Sequence, residues 1–84
     1  MMLIDGAALW RLHAQDGFPL EMSLPELAAR GAVPTWDALL RAAEADGANL
    51  SRLATRLHEV IGDAWPPDVA AEIRRRLTLL METL

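Results

Sequence analysis

The sequence predicts an all-α fold: a compact bundle of about five short helices with no sheet, forming a single domain over residues 1–84. Three observations carry this. Apolar residues recur at i, i+3, i+4 and i+7 in several windows, which is the signature of one-sided helices. Most windows are bracketed by a capping residue and a glycine or proline. No run alternates convincingly at period two. The composition, 52% hydrophobic and 24% charged, is that of a globular chain. A domain this small buries only about 60–65% of the surface its unfolded chain exposes, so every apolar residue counts.

The first helix is expected over residues 6–15, with Asp5 as N-cap and Gly17 as stop. Leu9 and Leu12 share a face, and Trp10, about 100° from Leu9, widens it. The stretch DGFPLEMSLPELAARG (16–31) then poses a question, because its loop half is apolar. A second helix over 24–30 answers it. Ser23 and Glu26 form an S-x-x-E capping box, Met22 and Leu27 a hydrophobic staple, and Pro25 sits in the first turn, with Gly31 as stop. Phe18, Leu20 and Met22 are expected to pin the 16–23 connector to the core.

The third helix, 36–46, lies between Thr35 and Gly47 and carries the stripe Trp36, Leu39, Leu40, Ala43. The fourth, 50–61, begins at Asn49, stops near Gly62 and buries Leu50, Leu53, Ala54, Leu57, Val60 and Ile61. The prolines of DAWPPD force a turn. The fifth helix, 67–83, places Val69, Ala70, Ile73, Leu77, Leu80, Met81 and Leu84 on one face and leaves Leu79 roughly opposite Leu77. Acid-before-base pairs at i, i+4 (Glu26–Arg30, Asp37–Arg41, Glu72–Arg76) mark solvated faces. No internal repeat stands out, and the short connectors favour antiparallel neighbours.

Several function classes are disfavoured by residue type. Cysteine is absent, which removes disulfides, thiolate metal sites and a cysteine nucleophile. Lysine is also absent, and all eight basic residues are arginine. The start, MMLIDG, does not read as a secretory signal, and no window reaches 18 apolar residues, so a cytoplasmic location without membrane association is expected. His13 and His58 lie on different helices, and the carboxylates are scattered. Ser23 and Ser51 are best explained as a cap and a surface residue. Neither a metal site, a cofactor, a facing acid/base pair nor a Gly-rich phosphate loop is expected, and the chain does not read as an enzyme.

Nucleic-acid binding is the next class. The span GANLSRLATRL resembles the start of the Fis-type DNA-binding motif through Gly47, Asn49, Ala54 and Leu57. The resemblance implies a helix-turn-helix-like regulator; basic residues on the surfaces of helix 50–61 (Arg52, Arg56) and helix 67–83 (Arg74, Arg75, Arg76) are the candidate contacts. Asp46 departs from the generic motif, which packs an apolar residue there, and DAWPPD interrupts the passage to a short recognition helix. The net charge of −4 and the spread of three consecutive arginines over about 200° of arc weigh against one phosphate-binding face. A second likeness, LHAQDGFPLEMS…LAARG, resembles a short segment of alanyl-tRNA synthetases through Gly17, Phe18, Pro19, Leu20 and Gly31. It carries no aminoacylation or editing motif and implies no activity.

The reading that remains is a small non-catalytic protein–protein interaction module: an adaptor, assembly chaperone or phage-type regulator presenting a helical face to a protein partner or to its own copy. Trp10, Phe18, Trp65 and Leu79 are the candidate partner-binding residues, because regular core stripes do not account for their placement.

Overall fold

A computed structural model describes residues 1–84 as β1 (Met2–Ile4), α1 (Gly6–Asp16), α2 (Leu20–Ala29), β2 (Ala32–Pro34), α3 (Trp36–Ala45), α4 (Leu50–Ala64) and α5 (Pro67–Thr83). The five helices are present, and local chemistry explains their ends. The Asp5 carboxylate accepts the Ala7 N–H at 3.0 Å and opens α1. Asn49 accepts the Arg52 N–H at 3.0 Å and opens α4. Gly17 and Gly47 end α1 and α3 in the left-handed region, at φ 70° and 81°, where a side chain would be strained.

The expectation of no sheet is corrected. β1 and β2 pair in parallel, with Met2 opposite Ala32, Leu3 opposite Val33 and Ile4 opposite Pro34. The Met2 N–H donates to the Gly31 carbonyl at 3.0 Å, and the Thr35 N–H donates to the Ile4 carbonyl at 2.9 Å. Three residues are too few for a period-two pattern to emerge, which is why the sequence hid them.

The second helix also departs from expectation. It starts at Leu20, and the Pro19 carbonyl accepts the Met22 and Ser23 N–H groups. Ser23 is therefore a buried residue inside the helix, its hydroxyl turned to the Pro19 carbonyl at 3.4 Å, and no capping box forms. Met22 is exposed, so the staple is also absent. Burial explains the early start: Leu20 and Leu24, one turn apart, are both completely buried. Pro25 then falls in the helix interior, where its ring removes a hydrogen bond to the Glu21 carbonyl. Pro25→Ala is accordingly expected to stabilise the chain by about 2 kcal/mol, less the entropy regained by the unfolded state, measured as a higher urea midpoint.

The strand register shows a repeat that the sequence reading overlooked. Met2 opposite Ala32 is an offset of thirty residues, and several following features keep that offset. The N-cap positions are Asp5 and Thr35, the left-handed glycines Gly17 and Gly47, and the starts of the second helices Leu20 and Leu50. Identical residues at the same offset are Ala8/Ala38, Leu9/Leu39, Arg11/Arg41, Asp16/Asp46, Gly17/Gly47, Leu20/Leu50 and Leu27/Leu57. The chain is two β-α-α units stacked side by side, followed by α5.

Sequence neighbours α4 and α5 pack on each other as expected, whereas elsewhere equivalents stack: α1 packs chiefly on α3 and α2 on α4. The start of α1 lies on the start of α3, and Trp10 further along α1 reaches Asp46 at the end of α3. The two helices therefore run in the same direction, as stacked repeats do. Leu39, Leu40, Leu57, Ile61 and Leu77 are fully buried in the shared core.

Gly62, expected as a stop, is helical. α4 continues three residues past the predicted end because Trp65 is drawn into the core and the Trp65 N–H still reaches the Ile61 carbonyl at 3.1 Å. Of the three charge pairs, Glu26–Arg30 and Glu72–Arg76 form at 2.8 and 3.3 Å, whereas Asp37 makes none.

Candidate functional site

The four residues singled out for partner binding separate into two classes. Trp10 and Trp65 are buried. The Trp10 indole N–H donates to an Asp46 carboxylate oxygen at 2.7 Å, which explains why a charged residue stands where the helix-turn-helix pattern wants an apolar one. Trp65 meets Trp36 edge-on, with ring centroids 6.2 Å apart at 70°. Phe18 and Leu79 are exposed, at 39% and 49%. They do not form one patch: Phe18 lines a groove beside α1 and α2, and Leu79 lies on α5.

The five candidate phosphate-binding arginines are mostly occupied. Arg56 makes a bidentate pair with Glu21, at 2.6 and 2.8 Å, whose carboxyl it holds below the ordinary range. Arg74 donates twice to the His58 carbonyl, at 3.0 and 2.6 Å, and ties α5 to α4. Its guanidinium occupies the space that a side chain at Gly62 would need. Arg75 and Arg76 both bond Glu72. Arg52 is exposed without an ion-pair partner. A phosphate approaching α4 would have to displace Glu21 from Arg56.

The largest concavity is an open groove of about 600 Å³ between the sheet and α5. Leu3 and Val33, directly paired across the two strands, lie on its sheet side. Trp36 lines it from the start of α3, and Val69, Ile73 and Leu80 line it from α5. Its polar members are chiefly Asp37, Asp68, Glu72 and Arg76. Leu3 is 66% exposed, and Met1 beside it more so. A groove with an apolar lining and a few polar residues is the usual form of a binding site.

None of the sequence-predicted partner residues lines this groove. Leu3 and Val33 were missed because their shared face exists only once the strands pair. The available signal was the recurrence of a short apolar triplet before each first-helix cap, MLI before Asp5 and AVP before Thr35.

The electrostatics of the rim can be measured. The guanidiniums of Arg75 and then Arg76 hold the Glu72 carboxyl down to about 2, from an ordinary 4.5. A depressed carboxylate contributes stability that is present above the ordinary value and lost as pH falls toward the folded one, here between about 4.5 and 2. The pair is solvent-exposed, so its contribution to stability is screened, but the titration itself remains visible. A carbon NMR titration of Glu72 is expected to have its midpoint near 2, and Arg75→Ala to move it toward the ordinary value.

His13 and His58 stay apart from any acidic cluster. A ring nitrogen of His13 lies 3.1 Å from the Phe18 carbonyl, and the His58 ring is half-buried on α4. No group of three or more histidine or carboxylate side chains is placed to hold a metal ion. No helix is long and apolar enough to cross a membrane. No protein-family model matches the chain, and comparison with curated proteins and with solved structures gives no match either.

Proposed function

We propose that this chain is a small non-catalytic protein–protein interaction module that takes an apolar segment of a protein partner into the groove between the sheet and α5. An accessory role suits it, such as an adaptor, an assembly chaperone or a phage-type regulator. One observation carries the reading: Leu3 and Val33 form an apolar face on a parallel sheet, and Leu3 is 66% exposed. Parallel sheets are ordinarily covered on both faces, so an incoming helix or loop would complete a missing layer. Asp37 and Asp68, free of ion pairs, would set the register of basic residues at the rim.

The test compares affinity purification from the native host, with nuclease treatment and mass spectrometry, for the wild-type chain and Leu3→Asp. The wild type is expected to retain a protein partner after nuclease and at high salt, and Leu3→Asp to lose it while keeping the same circular dichroism and melting temperature. Equal recovery by the two proteins rules out this groove. Loss of binding on nuclease treatment, a steep salt dependence and sensitivity to charge reversal at Arg52 and Arg56 would instead favour the DNA-binding alternative through α4 or α5.

A further inference from the structure

The smaller groove, about 370 Å³, lies against α1 and α2, on the other side of the molecule's internal repeat from α5. Ile4, Leu9, Leu12, Phe18 and Leu27 supply its apolar lining. The thirty-residue offset identifies what this surface is. The equivalents of Leu9, Leu12, Phe18 and Leu27 in the second unit are Leu39, Ala42, Ala48 and Leu57. Leu39 and Leu57 are fully buried, and Ala42 and Ala48 pack against the core. They lie in the helices of the second unit and, for Ala48, in the connector between them, on the side that the first unit covers, with α1 on α3, α2 on α4, and the backbone at Gly6 against Leu39. On the same face of the first unit Leu9 is buried and Leu27 half-buried beneath an open groove. Leu12 and Phe18 are exposed there.

Stacked repeats need a polar or covered end to stay soluble. The second unit has one, because α5 packs on α4 and supplies Ile73 and Leu77 to the core. The first unit has an apolar end instead. We infer that two copies of this chain associate through these open ends, α1 and α2 of one copy lying on α1 and α2 of the other across a two-fold axis.

Two features select a second copy in this orientation. A head-to-tail stack is blocked, since the opposite end of the repeat is already occupied by α5, so only open end against open end remains, and that contact closes at a dimer. The charge also fits. The rim of the smaller groove holds one acid and one base, Glu26 and Arg30, paired at 2.8 Å, so a copy meeting itself brings no excess of like charge. The groove beside α5 has three carboxylates to one guanidinium among its side chains and would repel itself. The inference stands independently of the partner site proposed for that larger groove, and it would leave two such grooves free on the dimer.

Sedimentation equilibrium and light scattering on the full chain test it. The expected mass at micromolar concentrations is twice the 9.2 kDa of the chain. Leu12→Asp and, separately, Phe18→Asp are expected to raise the dimer dissociation constant by about 30-fold or more, as for a central apolar contact, with the helical circular dichroism retained. Phe18 lies in the connector between α1 and α2, so its variant remains informative if Leu12→Asp unfolds. Arg30→Glu should weaken the dimer, and the exchange Glu26→Arg with Arg30→Glu should restore it. A monomer at high micromolar concentration overturns the inference. So does a dimer indifferent to Leu12→Asp and Phe18→Asp but dispersed by Leu3→Asp, which would place self-association at the other groove.

Discussion

Gly6→Ala is expected to cost about 3 kcal/mol, at the upper end of the usual range for overpacking, although the substitution adds one methyl group to the first turn of a helix. Elsewhere on a helix the same change would gain up to about 1 kcal/mol. The difference comes from what the added carbon meets. A Cβ at Gly6 would overlap the Thr35 carbonyl oxygen and come within 2.7 Å of the Leu39 nitrogen. Both are backbone atoms, and they bond to each other at 3.1 Å in the first turn of α3. Neither can rotate away, so α1 and α3 must separate. Separation also stretches the bond from the Gly6 N–H to the Thr35 hydroxyl, 2.9 Å long. The measurement is the urea midpoint or melting temperature. At about 4–8 °C per kcal/mol for a domain of this size, a fall of roughly 12–24 °C is expected. Gly62→Ala is the matched control. Its Cβ would meet only the Arg74 guanidinium, the mobile end of a long side chain, so the lost hydrogen bonds to the His58 carbonyl and the gain in helix propensity should nearly cancel. A Gly6→Ala protein as stable as wild type would mean that the two helices do not approach this closely.

The contrast between these glycines shows where sequence is informative. Gly17, Gly31 and Gly47 read correctly as punctuation, because a left-handed residue after an apolar stripe is a local feature. Gly6 and Gly62 are small for reasons located twenty-nine and twelve residues away, in Thr35 and Arg74, and nothing beside them in the chain says so. The helices followed the same logic. α3 was legible because a full amphipathic stripe and both boundary residues agree, and α5 because its stripe begins directly after the prolines. The start of α2 was not, because the apparent capping signal in Ser23, Pro25 and Glu26 competes with Leu20 and Leu24, and burial of two leucines outweighs a proline in the wrong turn. The repeat stayed hidden because its equivalent positions differ most at the conspicuous residues: Trp10 stands against Leu40, Gly6 against Trp36, and Phe18 against Ala48.

The site was legible in part for a related reason. Phe18 and Leu79 were suspected because they fall outside the stripes, and both are exposed. Trp10 and Trp65 aroused the same suspicion and are buried, because each fills a junction between elements rather than a helix face. Trp10 closes α1 on the end of α3 through Asp46, and Trp65 closes the turn between α4 and α5. Leu3 and Val33 gave the opposite error. Residues that look like an ordinary apolar start and linker acquire an open face only through a strand pair that joins the two halves of the chain.

Trp65→Ala is expected to have the largest effect of any single truncation, about 3–5 kcal/mol. An 84-residue chain has a total stability of about 4–13 kcal/mol, so the loss is a large fraction of the total and the variant should melt far below the wild type. Trp65 is the last residue before two prolines, and its indole is the side chain that holds the α4–α5 turn against the core. Removing it leaves a cavity that rigid flanking prolines cannot collapse. It also strips the edge contact from Trp36, a further loss of about 0.5–1.5 kcal/mol for an aromatic pair. Trp36 lines the groove beside α5, so the damage should extend to the proposed partner site. Its fluorescence should shift to the red in the native-state baseline before unfolding begins. Trp65→Phe keeps an aromatic edge toward Trp36 and most of the buried volume, and should lose less than half as much stability. If Trp65→Ala and Trp65→Phe melted together near the wild-type temperature, Trp65 would be free in solution, the α4–α5 turn would not be anchored, and the groove beside α5 would lose the wall on which its shape depends.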